Sequence, residues 1–399
     1  GLGDVYKRQI VSVAKQTFEQ SVDVFHRTMS KYFPDRALEL DILVAICASF
    51  FIKDITQPIA LFLLGNPSSG KSTLLEIIKE LPVILWRDNL TSASLLSAAP
   101  NIEPEDQLLN QLEGKVLTIP EFAPMANNKE AKQLMPDFTR LLDGNSFVRH
   151  SGYGVIGQTK AQRFNMIGAM VRVSPKMWEL FGNMGPRLVF LRLPDREQSL
   201  NQTVTRLTKL SSDRSYTEKL EVARKLVLAF YQNITRIYQN VISWTKEDDN
   251  AETLDHIAKL SVLVTKMRAV LPKQNKKYEG KPLVEDPTRI YMALTGIVKS
   301  CAFIRGRTYI SPDELSIAFR IATDSVPSER ASVLNALLHN GGIITSKKYS
   351  NLEKVSNETT HNRFEQMIRL DICEYENNSS KINPLDKIVL KDEWLWLQY

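Results

Sequence analysis

The stretch Ile59-Ala60-Leu61-Phe62-Leu63-Leu64-Gly65-Asn66-Pro67-Ser68-Ser69-Gly70-Lys71-Ser72 decides the fold. Its first part is a run of apolar residues that ends at a glycine, as expected for a strand buried on both faces of a sheet. The second part, 65–72, matches the GxxxxGK(S/T) pattern, in which glycines let backbone amides turn inward around phosphates. A helix is predicted over 69–80, and its N-terminus adds partial positive charge to the same place. The stretch therefore predicts a phosphate-binding loop between a buried strand and a helix.

The loop pattern assigns a role to individual residues. Lys71 is expected to reach the β- and γ-phosphates of ATP, and the Ser72 hydroxyl is expected to ligate Mg²⁺. ATP and Mg²⁺ are therefore the predicted cofactors. The cofactor-binding candidates are the residues of the loop and of the following helical turn: Gly65, Asn66, Pro67, Ser68, Ser69, Gly70, Lys71, Ser72 and Thr73.

A carboxylate follows a second apolar run. The run 116–119 predicts a strand that delivers Glu121 to the carboxyl edge of the sheet, where ligands of α/β folds bind. An Asp-Glu pair is expected at this place in a nucleoside triphosphatase, but Pro120 occupies the first position. Glu121 would then act alone, either through Mg²⁺ or by orienting the attacking water. The alternative is an edge carboxylate with no catalytic part, with Asp137 and Asp143 as reserves.

Further apolar runs at 83–86, 165–171 and 187–193 bring the number of candidate strands to five. They alternate with helical patterns, which predicts an α/β fold with a mainly parallel sheet. Helical periodicity also covers 10–55, and residues 200–325 are expected to be helical, with long amphipathic stretches at 216–239 and 251–270.

Composition excludes several classes of protein. Hydrophobic residues make up 43% of the 399 and charged residues 24%, which is typical of globular domains. The net charge is +6, and its basic surplus lies in residues 201–340, which is compatible with nucleic acid. Cys47, Cys301 and Cys373 are far apart and lack the spacing of zinc ligands, so we expect three buried free thiols.

The sequence contains no predicted membrane segment. The most apolar run, 42–52, has 11 residues and is shorter than the roughly 20 that cross a bilayer. No signal peptide is visible, so we expect no membrane partner and a cytoplasmic or nucleoid-associated location. Residues 1–9 are similar to translated sequencing-adapter sequence, and we expect them to be a non-native lead sequence before a truncated N-terminus.

These motifs, in this order, resemble the AAA+ superfamily of P-loop ATPases. More narrowly, they resemble minichromosome maintenance (MCM)-type helicases and related replication ATPases of mobile elements. The resemblance covers roughly 40–399. It implies an AAA+ ATPase core with N-terminal helices over 10–199, a helical lid over 200–325 and a winged-helix-like domain over 326–399. It also implies ATP hydrolysis, DNA as a partner and a homo-oligomer, in the form of a hexameric ring.

The resemblance implies roles for two arginines and for the end of one strand. Arg187, in the segment 184–187, is similar to the arginine finger that reaches into the neighbouring subunit's site; the alternative is a structural arginine beside the sheet. Arg289 is similar to the sensor 2 arginine and would contact the γ-phosphate in cis or across the interface, although 285–289 also fits a plain helix start. Val171 stands where the sensor 1 Asn or Thr is expected, with Arg172 and Ser174 as possible substitutes.

The segment 147–160 is expected to form a hairpin with a glycine turn at 151–154. Its position resembles the hairpin that points into the channel of ring helicases, so Arg149, Lys160 and Arg163 are candidates for contacts with DNA phosphates. An ordinary solvated hairpin is the alternative.

The C-terminal residues are expected to form helices at 328–338 and 357–370 and a wing strand at 387–390. The charges on the second helix sum to zero, so a packing or regulatory role is an alternative to DNA binding. For the whole chain the two main hypotheses are a DNA helicase or translocase and an ATP-dependent initiator or regulator that assembles on DNA without unwinding it. A remodeller of protein substrates is a third.

Overall fold

The computed structural model describes residues 17–97, 103–124, 131–151, 154–158, 160–174, 177–178, 188–194, 204, 208, 215–239, 241–274, 277–376 and 387–398. The strands up to residue 192 are β1 (Ala60–Leu64), β2 (Ile84–Trp86), β3 (Val116–Ile119), β4 (Phe147–Ser151), β5 (Gly154–Gln158), β6 (Asn165–Met170) and β7 (Leu188–Arg192). Five of them form one parallel sheet in the order β2-β3-β6-β1-β7. The predicted α/β class and its parallel sheet are thus confirmed.

Strand β1 lies inside the sheet and is buried on both of its faces, as its apolar run predicts. Leu61 and Leu63 pack into one hydrophobic core, whereas Ala60, Phe62 and Leu64 pack into a second core on the opposite face. Successive side chains of a strand point to opposite faces, so an unbroken apolar run supplies both cores at once.

The helices before the C-terminal unit are α1 (Phe18–Tyr32), α2 (Ala37–Ala48), α3 (Lys71–Ile78), α4 (Ser92–Leu95), α5 (Leu108–Gln111), α6 (Ala131–Leu142), α7 (Ser215–Ile237), α8 (Ala251–Arg268), α9 (Thr288–Ile304) and α10 (Leu315–Asp324). Short 3₁₀ turns cover Pro34–Arg36, Ser49–Phe51, Pro104–Asp106, Lys246–Asp248, Pro312–Glu314 and Asp392–Gln398. Helices α1–α3 and α7–α10 share the larger core with one sheet face. Contacts of α2 with α9, α1 with α7 and α10 with β7 make this face continuous.

The other sheet face carries α4, α5 and α6 together with the hairpin of β4 and β5. The two hairpin strands are antiparallel, with Ser151 opposite Gly154, which confirms the predicted hairpin. Gly157 has φ +131°, and a Cβ there would lie 2.1 Å from the Phe147 carbonyl oxygen. Only glycine can bring the two strands together at this point.

The C-terminal residues of the sequence form a small unit. It consists of α11 (Ser328–Leu338), β10 (Ile343–Thr345), α12 (Ser346–Glu353), α13 (Asn357–Arg369), β11 (Cys373–Tyr375) and β12 (Lys387–Leu390). Its strands form an antiparallel sheet in the order β10-β12-β11. Helices α11 and α13 and strand β12 were predicted, whereas α12, β10 and β11 were not. Two-residue strands β8 (Lys273–Gln274) and β9 (Lys277–Tyr278) form a hairpin between α8 and α9.

All three cysteines are buried and unpaired, as expected, and burial raises the pKa of each thiol. In the described ranges, no helix has both the length and the apolar character needed to pass through a bilayer.

Candidate functional site

The loop after β1 folds back on itself before α3 begins. The Ser69 amide donates to the Asn66 carbonyl oxygen at 3.1 Å, and both Ser68 (φ 63°) and Gly70 (φ 97°) adopt the left-handed conformation. Gly70 is the N-cap of α3, which therefore starts at Lys71 rather than at residue 69. The first-turn amides of α3 have no partners within the helix.

Gly65 allows the loop to approach the end of the sheet closely. A Cβ on this residue would lie 2.7 Å from Ser69 Oγ and 3.2 Å from the Leu193 Cβ. The first distance is shorter than any real Cβ contact, so a side chain here would force the Ser69 side chain within the loop to move.

The Lys71 ammonium lies within the curve of the loop. Its Nζ donates to the carbonyl oxygens of Gly65 at 2.6 Å and Asn66 at 2.9 Å, and to Ser69 Oγ at 3.4 Å. Burial lowers the pKa of Lys71, and the negative charge of Glu121 opposes that shift. A cation held among backbone dipoles at a helix N-terminus is suited to bind an anionic oxygen.

Glu121 lies two residues after the end of β3 and is exposed at the carboxyl edge of the sheet. Its neighbour Phe122 anchors it, because the Phe122 amide donates to the Ala169 carbonyl oxygen at 2.9 Å and its ring packs 4.7 Å from that of Phe62. The negative charge of Glu121 acts on the pKa of Lys71, and the two residues follow the carboxyl ends of strands in one parallel sheet. The structure thus brings the loop and the carboxylate together.

The loop and its surroundings carry the kinds of donor groups that a triphosphate and Mg²⁺ bind. Ser72, in the first turn of α3, is exposed and Thr73 is half-buried. The Ser72 hydroxyl and the Glu121 carboxylate are oxygen donors of the kind that Mg²⁺ takes, and this ion usually completes its shell with water and substrate phosphates. The described residues contain no cluster of three or more His, Cys, Asp or Glu that could hold a metal ion.

The end of β6 lies between β1 and β3 and therefore between the loop and Glu121. Val171 emerges there with 43% of its surface exposed, and Arg172 is exposed next to it. The Ser174 hydroxyl accepts a hydrogen bond from the Met177 amide at 3.3 Å, which is a capping role. Of the two proposed substitutes for the sensor 1 residue, Arg172 is the one that faces solvent.

Arg289 lies far from the loop of its own chain. It is in the first turn of α9, where its Nε is 3.2 Å from Asp143 Oδ1. Both side chains line a cavity of about 360 Å³ together with Gln57 and Pro58, which precede β1. The phosphate loop follows the opposite, carboxyl end of β1, so the structure gives no contact in cis between Arg289 and a bound phosphate. Arg187 lies outside the described residues.

The three DNA candidates have different surroundings. Arg163 Nη2 donates to the carbonyl oxygens of Ser49 at 3.1 Å and Ile52 at 2.9 Å, and burial lowers its pKa. Arg149 pairs with Asp137 and donates to the Leu96 carbonyl oxygen at 3.1 Å. Lys160 is exposed. Of the three, Lys160 alone presents its charge to solvent without a partner among the described residues. Arg149 and Arg163 instead have structural roles, which their sequence did not indicate.

Sequence reasoning missed one residue at this site. Arg36 donates to the carbonyl oxygen of Ser69, 33 positions further along the chain. No motif surrounds Arg36, so only the folded chain identifies it.

No model of a known protein family matches this sequence. A search of curated proteins likewise finds no significant relative.

Proposed function

We propose that this chain is an AAA+ P-loop ATPase that acts on DNA as a helicase or translocase. The observation that carries the proposal is the Lys71 ammonium inside a glycine loop at the carboxyl end of a central parallel strand. Bound MgATP would supply the phosphoryl group and a metal ion that neutralises its charge. Lys71 would hold the terminal phosphates, and Ser72 would hold the metal ion.

Glu121 is the proposed catalytic carboxylate. It is exposed, it lies at the edge of the sheet where the loop lies, and its charge acts on Lys71. An anchored Phe122 keeps it at that edge. A carboxylate in this place can orient and deprotonate an attacking water.

The location of Arg289 favours an oligomer. In its own chain this arginine lies at the amino end of β1, beside Asp143. A role at a nucleotide therefore requires the neighbouring subunit's loop, as does the proposed finger Arg187. We infer a homo-oligomeric ring, a hexamer by resemblance, in which helices α7–α10 serve as the lid.

The C-terminal unit supports a winged-helix-like assignment. Helices α12 and α13 pack together across a turn of three residues, 354–356, in which Lys354 has φ 53°. Helix-turn-helix units have such a turn, and β11 with β12 would form the wing. Lys347, Lys348 and Lys354 are exposed on this unit and offer phosphate contacts.

The proposal is tested by the rate of MgATP hydrolysis by oligomeric protein, with and without single-stranded DNA. We expect DNA to accelerate hydrolysis. We also expect salt to weaken this acceleration, because binding to DNA phosphates releases counterions. Protein that is folded and oligomeric but shows neither saturable MgATP binding nor hydrolysis would exclude the ATPase.

An ATP-dependent initiator or regulator is the second candidate. Pro120 in place of an acidic residue and the apolar Val171 favour slow hydrolysis. A strand-displacement assay separates the two functions. Unwinding supports the motor, and ATP-dependent assembly on DNA without unwinding supports the regulator.

A further inference from the structure

A buried arginine outside the phosphate loop holds one of the loop's peptide groups. Arg36 is the last residue of the 3₁₀ turn Pro34–Arg36, directly before α2, and is 6% exposed. Its Nη2 donates to the Ser69 carbonyl oxygen at 3.1 Å and to the Pro194 carbonyl oxygen at 3.3 Å. One guanidinium therefore joins the loop to the chain that leaves β7.

This contact determines which way the next amide points. The carbonyl and the N–H of one trans peptide unit point in opposite directions. Because Arg36 Nη2 donates to the Ser69 oxygen, the N–H of Gly70 in the same peptide unit points away from Arg36. Gly70 has φ 97°, a left-handed conformation that glycine adopts without strain, and this conformation sets the peptide at the start of α3.

Arg36 is itself held by an ionic network. Glu39 Oε1 is 3.7 Å from Arg36 Nη1 and 3.5 Å from Arg320 Nη2. Arg320 in turn bonds Asp324 Oδ2 at 2.9 Å and the Arg192 carbonyl oxygen at 2.7 Å. The phosphate loop is thereby connected to the carboxyl end of β7 and to α10.

We propose that Arg36 is a positioning residue for triphosphate binding. It orients the Ser69–Gly70 peptide so that the Gly70 amide donates to a phosphate oxygen, and through Glu39 and Arg320 it couples the loop to α10. This inference rests on the proposed ATP site and adds to it a residue that does not itself touch the nucleotide.

The experiment compares Arg36→Gln with Arg330→Gln. Arg330 is a matched control because it is 9% exposed and also donates to two carbonyl oxygens, those of Met267 at 2.7 Å and Ala269 at 2.9 Å, but its partners belong to the junction with the C-terminal unit. MgATP affinity and the rise in Tm on adding saturating MgATP are measured for each variant. A tighter ligand raises Tm further, so a weakened site shows a smaller rise.

We expect both variants to lower the Tm of the free protein, but only Arg36→Gln to weaken MgATP binding, by about tenfold, the effect of one lost hydrogen bond to a charged group. Arg36→Lys keeps the positive charge but not the branched guanidinium, so it should show a smaller loss of MgATP affinity than Arg36→Gln. If Arg36→Gln does not fold, the folded Lys variant decides the question.

Wild-type affinity in the Arg36 variants, or an equal loss in Arg330→Gln, would overturn this inference and leave the ATP site intact. Absence of MgATP binding by the wild type is a different result, because it removes the proposed function itself.

Discussion

Arg268 Nη2 donates a hydrogen bond of 2.7 Å to the carbonyl oxygen of Leu188, on the outer edge of β7. On the same edge of β7, the Phe190 amide donates to the Ser325 hydroxyl, and the Arg192 amide donates to Asp324 Oδ2. Side chains thus take the place of a sixth strand. An exposed edge invites pairing with other chains, so this arrangement protects the sheet and ties β7 to the residues after α10.

Ser325→Ala should destabilise the fold. Ser325 is 1% exposed, and its hydroxyl accepts from the Phe190 amide at 2.8 Å. Its removal leaves a buried N–H without a partner, so we expect the free energy of unfolding to fall by about 1–3 kcal/mol, measured by urea denaturation. The exposed Ser316, replaced by alanine, should change it by less than about 0.5 kcal/mol. Equal stabilities of the two variants would contradict the edge-capping role.

The stability difference between wild type and Asp324→Asn should depend on pH. Burial raises the pKa of Asp324 above 3.8, against the opposing effect of Arg320. The folded state therefore binds this proton more tightly than the unfolded state does. As pH rises from below 3.8 through the raised pKa, wild type should lose free energy of unfolding relative to the Asn variant, whose amide does not titrate. Denaturant titrations across that window measure the difference, and a flat or rising difference would refute it.

Lys71→Ala should reduce ATP hydrolysis to background. The variant removes the ammonium that donates to Gly65, Asn66 and Ser69 within the loop. We also expect at least about tenfold weaker MgATP binding, because a hydrogen bond to a charged group is lost. Lys79, exposed just after α3 and paired with Glu76 at 3.2 Å, is the control and should tolerate alanine. Unchanged turnover in Lys71→Ala would reject the site.

Glu121→Gln should separate binding from turnover. The amide keeps the size of the side chain but cannot accept a proton, so kcat should fall by about 10²-fold or more. MgATP affinity should fall by much less than kcat, since Lys71, Ser72 and the loop amides remain. Glu103, exposed before β3, provides the control variant Glu103→Gln. Equal kcat values for the two variants would assign catalysis to another residue.

Lys160 and Arg163 should behave differently when replaced by alanine. Lys160 is exposed, so its loss should weaken DNA binding and reduce the slope of log affinity against log salt by about one. Loss of Arg163 removes the donor to the Ser49 and Ile52 carbonyl oxygens and should lower Tm instead. Filter binding at several salt concentrations and thermal unfolding distinguish these effects. Stability lost in Lys160→Ala, or salt slope lost in Arg163→Ala, would reverse the assignment.

The sheet and its loop were predictable because their signals are local. Each buried strand is a short apolar run, and the loop pattern lies within 65–72. The missed elements of the C-terminal unit lack such signals. Strand β10 has only three residues and alternates in burial, and α12 is a polar helix of eight residues. These elements form because they pack on α11 and α13, so their own sequences carry little information.

Local chemistry was sufficient to predict five strands, the glycine loop with Lys71, and a carboxylate after a second apolar strand. Folding alone established that β6 inserts between β1 and β3, that Arg289 lies at the amino end of β1, and that Arg36 and Arg163 bond carbonyl oxygens far along the chain. The physical reason is that hydrogen bonds and ion pairs between distant residues depend on how helices and strands pack. A charged side chain has the same sequence signature whether it meets a phosphate, a carbonyl oxygen or water.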